Sequence, residues 1–409
     1  MPSVDELDRR LVAVAKNVRV LGALSFPEEA AVTFLAGWRR GRPSLPETPS
    51  VAPLPDAVTT ELAAIARQVD PQDPRGRFVR DTAESYRQVA DLLAAAGTPS
   101  FYDRSRAIYG GSATPLPGSD VTHLAIARRL LEGTGALSQA TKAAESDYCL
   151  TAEHVAARID EELGSFFHDD AVRVVIDPGL ASKAAASAQR VRIRGRTCFS
   201  EADVRQLLEH EAFVHSATAL NGRKQEGLQS LSLGAPRTTA TQEGLATFAE
   251  LITGVMDLAR LRRLALRVVA VDLAERGATF IEVFEAVHDA GQTPSEAVQT
   301  ALRIFRGAPI EGGAPFTKDV VYMRGLVAVY TFLRRAIADV RPDLVARLFV
   351  GRLALSDALA FDELGESLRP PRYLPNWAAN IQALATYLSM SAVTQAIDLS
   401  ELTLGEVVA

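Results

Sequence analysis

His210, Glu211 and His215, within the stretch HEAFVH, are residue types that metal-assisted hydrolysis uses. Two neutral imidazoles can ligate a divalent cation. A carboxylate next to the first ligand can take a proton from a water and hand it to a leaving amine. The familiar zinc-hydrolase spacing is H-E-x-x-H, which sets both rings on one helix face. Here the histidines are five apart. At about 100° per residue, an i,i+5 pair diverges by about 140° around an α-helix, against about 40° for i,i+4. Shared ligation therefore requires one residue inserted as a π-bulge, and the spacing predicts a distorted turn at 211–215. With six histidines in 409 residues, such a match arises by chance in roughly one chain in two hundred. The surroundings of the motif must decide.

A third ligand has three candidates. Glu243, in TQEGLATFAE, lies 28 residues past His215 and opens another helical pattern, with Thr241 placed to cap it. A carboxylate from a second helix completes a two-histidine, one-carboxylate set for Zn2+ and leaves one coordination position open. Glu226 and Glu250 are the alternatives, and Glu250 can instead orient an imidazole.

The elements that must hold these residues are legible around them. Ser200 is a good N-cap, followed by acids in the first turn and preceded by Phe199 at the staple position, so a helix is expected over SEADVRQLLEHEAFVHSATAL. Upstream, AVRVVID (171–177) and QRVRIRG (189–195) are rich in β-branched residues. The second alternates Val191 and Ile193 with arginines, as expected for a strand near the edge of a small sheet. Helical patterns cover 4–40, 57–70, 80–96, 119–133 and 138–163, and most of the chain beyond 240. A connector with five prolines occupies 41–56, and a long Gly/Pro/Ser segment occupies 97–120. His168-Asp169-Asp170 reads as a turn before the first strand. This organisation divides into an N-terminal helical segment with its connector (1–56), a helical lobe (57–170), a core carrying the motif (171–340) and a C-terminal helical segment (341–409).

Composition narrows the class. A 47% hydrophobic content fits a globular chain, and a net charge of −6 argues against bulk nucleic-acid binding. No run of about eighteen uncharged apolar residues is present, so no transmembrane helix is expected. Cys149 and Cys198 lie far apart and read as reduced thiols of a cytoplasmic protein. Only five lysines occur against abundant arginine. This marks a compositional bias, in which an arginine carries little weight and a lysine more.

HEAFVH, the following NGRKQEGLQSLSLGAP and TQEGLATFAE resemble the flavohaemoglobin expression-modulating QEGLQ-motif proteins, whose eukaryotic relatives include the microtubule-associated tyrosine carboxypeptidases. FYDRSRAIYG, FSEADVRQLLEH, FTKDVVYMRG and RPPRYLP share in the resemblance, which spans most of the chain. It implies a mainly α (α+β) fold with a gluzincin-like metallopeptidase core, a small sheet beside the active-site helix and a two-lobed helical architecture. It also implies zinc on His210, His215 and Glu243, with Glu211 as catalytic glutamate. The lengthened motif is shared with dipeptidyl peptidase III. The expected activity is a carboxypeptidase acting on a peptide or protein C-terminus, with an aromatic terminal residue implied.

Such an enzyme must bind a terminal carboxylate, for which Lys318, Arg324 and Arg372 are the candidates. Tyr322 is placed either to donate to the oxyanion or to serve as a core tyrosine. Rival readings are an aminopeptidase or dipeptidyl peptidase, which would need acidic groups for a free amine, and a regulatory protein that keeps zinc for structure.

Overall fold

The computed structural model describes residues 2–395 apart from 28, 142–148, 169, 181, 196, 363 and 365–367. The chain begins with α1 (Val4–Ala15), α2 (Val20–Leu24), α3 (Glu29–Trp38), α4 (Asp56–Gln68) and α5 (Pro74–Ala94). Next come α6 (Ser100–Tyr109), α7 (His123–Gly133), α8 (Gly135–Thr141) and α9 (Ala152–Phe166). Three strands follow: β1 (Arg173–Asp177), β2 (Ala184–Ser187) and β3 (Arg190–Arg194). The helices then resume with α10 (Glu201–Leu207), α11 (Ala217–Arg223), α12 (Thr239–Ile252), α13 (Leu258–Glu275), α14 (Phe280–Asp289), α15 (Pro294–Ile304) and α16 (Val320–Ala338). The fold is mainly helical with a small sheet, as expected.

The sheet order is β1-β3-β2, with β1 parallel and β2 antiparallel to β3. The expectation for β3 needs correction here: it is the central strand, and β2 covers the side that was read as an edge. Val191 and Ile193 are fully buried, as the alternation required. They pack with Val155 and Ile159 of α9 and with Leu208 and Ala212, so the sheet braces the helical segment that carries the motif.

Two other expectations change. The helical pattern at 138–163 is not one helix: Thr151 caps a fresh start at α9, and 142–148 fall outside the described residues. The segment 97–120 contains α6, whose Phe101 and Tyr109 are buried. Asp169, in the turn read before β1, is likewise outside the described residues.

The cysteines are joined rather than reduced. Cys149 and Cys198 form a disulfide with their Cα atoms 5.0 Å apart. The bridge between Leu150 and Phe199, closed by hydrogen bonds of 2.8 and 3.2 Å, brings the two segments side by side. A separation of 49 residues in sequence therefore said nothing about distance.

The largest apolar cluster draws on all four sequence segments, with Leu11, Phe78, Phe248 and Leu348 among its members. Asp8 of α1 is buried within this assembly, and its carboxylate accepts from the backbone N–H groups of Gln229 (2.7 Å) and Ser230 (3.0 Å). Gln225 receives the Arg369 N–H at 2.9 Å and donates to the Arg369 carbonyl at 2.9 Å. Asn221 likewise accepts from Arg372 and Tyr373 N–H, both at 3.0 Å. The QEGLQ stretch and Asn221 thus act as staples that hold two remote segments against the core.

Candidate active site

Ser200 caps α10, as expected, and does so in a capping box with Asp203. The helix then widens into nine residues of π-helix, Leu208–Ser216, before returning to α11. This is longer than the single turn predicted at 211–215, and the consequence is the same. The wider turn brings His215 back toward His210, with ring centroids 4.9 Å apart. Buried Ala212 and Val214 hold the far side against the core.

Glu243 arrives from α12. Thr238 is that helix's N-cap. Thr241, expected in that role, sits inside the helix and instead accepts the Leu355 N–H at 3.2 Å. Glu243 Oε2 lies 3.5 Å from His210 Nε2 and 3.6 Å from His215 Nε2. The three ligand atoms all fall within 4.8 Å of one another. Tetrahedral ligands at zinc-like bond lengths stand about 3.3 Å apart, so this donor set fits such an ion.

Glu250, two turns further along α12, is fully buried and approaches His210 Nδ1 at 2.6 Å. Its carboxylate also accepts from Arg260 through Nε and Nη2, both at 3.0 Å, and from Gln206 at 2.9 Å. Burial works against a charged His210, but the hydrogen bonds to Glu243 and Glu250 outweigh it and push the imidazole up to about 10. Burial likewise opposes the Glu243 carboxylate, yet Lys318 and the two imidazoles hold it well below the usual range. The pocket is built to hold positive charge at His210 Nε2, which is also what a divalent cation needs. Glu211 is buried, and no side-chain hydrogen bond engages it among the described residues.

A second cluster adjoins the first. Lys318 Nζ lies 3.4 Å from Glu243 Oε1 and 5.2 Å from the centre of the Tyr322 ring. Tyr322 Oη accepts from Arg303 Nη2 at 3.3 Å. Arg267 lies 5.2 Å and Arg303 5.8 Å from the same ring centre. Asp319 is buried beneath them and accepts both donors of Arg303, at 2.6 and 2.8 Å. Helices α12 and α16 meet at Gly244 and Gly325, where a Cβ on either would run into the backbone of the other helix. That contact is what sets Glu243 beside Lys318 and Tyr322.

A family model described as microtubule-associated tyrosine carboxypeptidase matches residues 33–396 of the 409. The chain belongs to this family. A comparison with individually curated proteins finds no match. The family's description is that of a carboxypeptidase, which supports a peptidase.

In this tyrosine carboxypeptidase family member, the remaining sequence candidates lie elsewhere. Arg324 donates to the Tyr109 carbonyl at 3.0 Å, and its charge falls on His123. Arg372 lines a cavity with Lys224 and Arg369 whose lining contains none of His210, His215 and Glu243. Glu226 is mostly exposed and paired with Arg369. Neither arginine is brought to the site, and nor is Glu226. Sequence reading missed Arg260, Arg267, Arg303 and Arg352, the last of which donates to the His215 carbonyl at 3.0 Å. Their signal was faint: Arg260 and Arg267, seven residues apart, share one face of a helix that carries two further arginines.

Proposed function

We propose that this chain is a zinc-dependent carboxypeptidase with a gluzincin-like site, releasing a C-terminal and preferably aromatic residue from a peptide or protein. The observation that carries the reading is the convergence of His210, His215 and Glu243, made possible by the π-helical turn. A zinc ion held by those three residues would supply Lewis acidity to the scissile carbonyl and make a nearby water more acidic. Glu211 takes the proton from the attacking water and returns it to the leaving amine. Tyr322 donates its hydroxyl proton toward the oxygen on which negative charge develops, its own oxygen being held by Arg303. Lys318 keeps Glu243 ionised and poised.

The cations around Tyr322 favour this reading over an aminopeptidase, which needs acidic groups for a free amine. Among the described residues only three ligands converge, which favours it over structural zinc, normally closed by four protein ligands. The deciding experiment loads the purified protein with zinc and digests a peptide library read by mass spectrometry. Release of C-terminal residues is expected, and blocking the peptide N-terminus should leave turnover intact. Glu211→Gln should keep its zinc and lose at least about 100-fold in kcat. No C-terminal release from the wild type, or full activity in Glu211→Gln, would defeat the proposal.

A further inference from the structure

We infer that Arg352 is a positioning residue of the metal centre, which holds the widened turn from behind through the main-chain carbonyl of His215. The inference rests on the donor set proposed above, and it gives the QEGLQ stretch a purpose, which is to seat this arginine.

A helix that returns from i,i+5 to i,i+4 hydrogen bonding passes over one carbonyl, which then needs a donor from elsewhere. The Ala217 N–H still bonds to the Ala212 carbonyl, five residues back, and ordinary α-helix resumes in α11. The return therefore falls on the residues around His215. Two side chains donate there among the described residues. The Thr218 hydroxyl lies 2.7 Å from the Val214 carbonyl, 2.9 Å from Gln242 Oε1 and 3.3 Å from the His215 carbonyl. It has a single proton and cannot serve all three. Arg352 is the other donor, its Nη2 3.0 Å from the His215 carbonyl and its place in the chain 137 residues away. That carbonyl belongs to a ligand residue, so the donor on it fixes the point from which the His215 ring extends.

The seat of Arg352 is built from main chain. Leu231, in the 3-10 turn Gln229–Ser232, is clasped between two glycines. A Cβ on Gly222 of α11 would stand 2.4 Å from the Leu231 carbonyl oxygen, and one on Gly351 would stand 2.6 Å from the Leu231 Cβ. The Arg352 N–H donates to that same carbonyl at 2.6 Å. Just upstream, Asn221 and Gln225 donate to the carbonyls of Phe349 (2.8 Å) and Val350 (3.2 Å). Gly234 leaves room for the guanidinium, since a Cβ there would be 2.9 Å from Nη1. Helix α11, the turn after QEGLQ and the 349–352 segment thus form one bracket, and the bracket ends on the back of the metal motif.

The test uses the full-length protein and reads metal binding rather than turnover. Competition with a chromophoric chelator gives the zinc dissociation constant, and the visible spectrum of the cobalt-substituted protein reports ligand geometry. Arg352→Met should raise the dissociation constant about 10- to 100-fold, as loss of an outer partner of a metal ligand does, and should alter the cobalt bands. Gly234→Ala presses on Nη1 and touches no ligand, so it should move both readouts in the same direction by less. Arg352→Met decides where it folds, and Gly234→Ala decides where it does not. A wild-type zinc constant and wild-type cobalt bands in the deciding variant, even with a lowered melting temperature, would reduce Arg352 to a packing residue and overturn the inference. The two proposals fail separately. Weakened metal binding in the variants, with no C-terminal release by the wild type, would sink the enzyme reading and leave the bracket standing. C-terminal release alongside unaltered metal binding in the variants would do the reverse.

Discussion

Glu250 grips His210 from behind: its Oε1 lies 2.6 Å from Nδ1, which turns Nε2 toward Glu243. The ring's rotation and tautomer are thus fixed by a carboxylate that is itself locked by Arg260 and Gln206.

Glu250→Gln should therefore weaken zinc binding by about 10- to 100-fold, the usual effect of removing an outer partner of a metal-ligating histidine. Competition with a chromophoric chelator measures this directly. An unchanged dissociation constant would mean the carboxylate serves only to neutralise Arg260.

Tyr322→Phe keeps the ring between Arg267 and Lys318 and removes only the hydroxyl. If the proton is given up in the transition state, kcat falls about 100-fold with KM nearly constant. Steady-state kinetics on a tyrosine-ended peptide would show it. A raised KM with normal kcat would make Tyr322 a binding residue instead.

The Cys149–Cys198 link closes a loop of 49 residues that ends just before Ser200, the cap of the helix leading into the site. Its reduction should lower stability by roughly 2–4 kcal/mol. Urea midpoints with and without reductant test this, alongside thiol titration that should find two groups only after reduction. Equal midpoints after complete reduction would show the link to be mechanically idle.

His123 supplies a pH dependence away from the site. Burial, with Arg324 adding to it, pulls this imidazole down to about 4 from an ordinary value of 6.5. Between those values the unfolded chain takes up a proton that the folded chain refuses. The associated stability is complete above pH 6.5 and is lost as pH falls toward 4. His123→Gln should flatten the melting temperature over that window, as thermal scans from pH 4 to pH 7 would reveal.

The widened turn at the motif was readable because spacing is a geometric constraint: two histidines five residues apart cannot face one point without it. The capping of α10 was readable because Ser200 and Asp203 act over three residues. What escaped depended on distance through space. Strand β2 is alanine and serine, types with little β preference, and it forms because β3 lies beside it. The disulfide and the staples at Asn221 and Gln225 join segments that sequence cannot place together. The arginines behind Tyr322 were hidden by a composition in which arginine is everywhere, and burial alone separates them from the rest. Lys318 stood out for its rarity and does lie beside Glu243, whereas Arg324 and Arg372 had only their neighbours in sequence to recommend them.

The bare contact between Gly244 and Gly325 has a mechanical consequence. Main chain rests on main chain there, with no rotamer in between to yield. Any slide of one helix along the other would have to move both backbones, so the spacing between Glu243 and Lys318 is fixed by main chain rather than by side-chain packing.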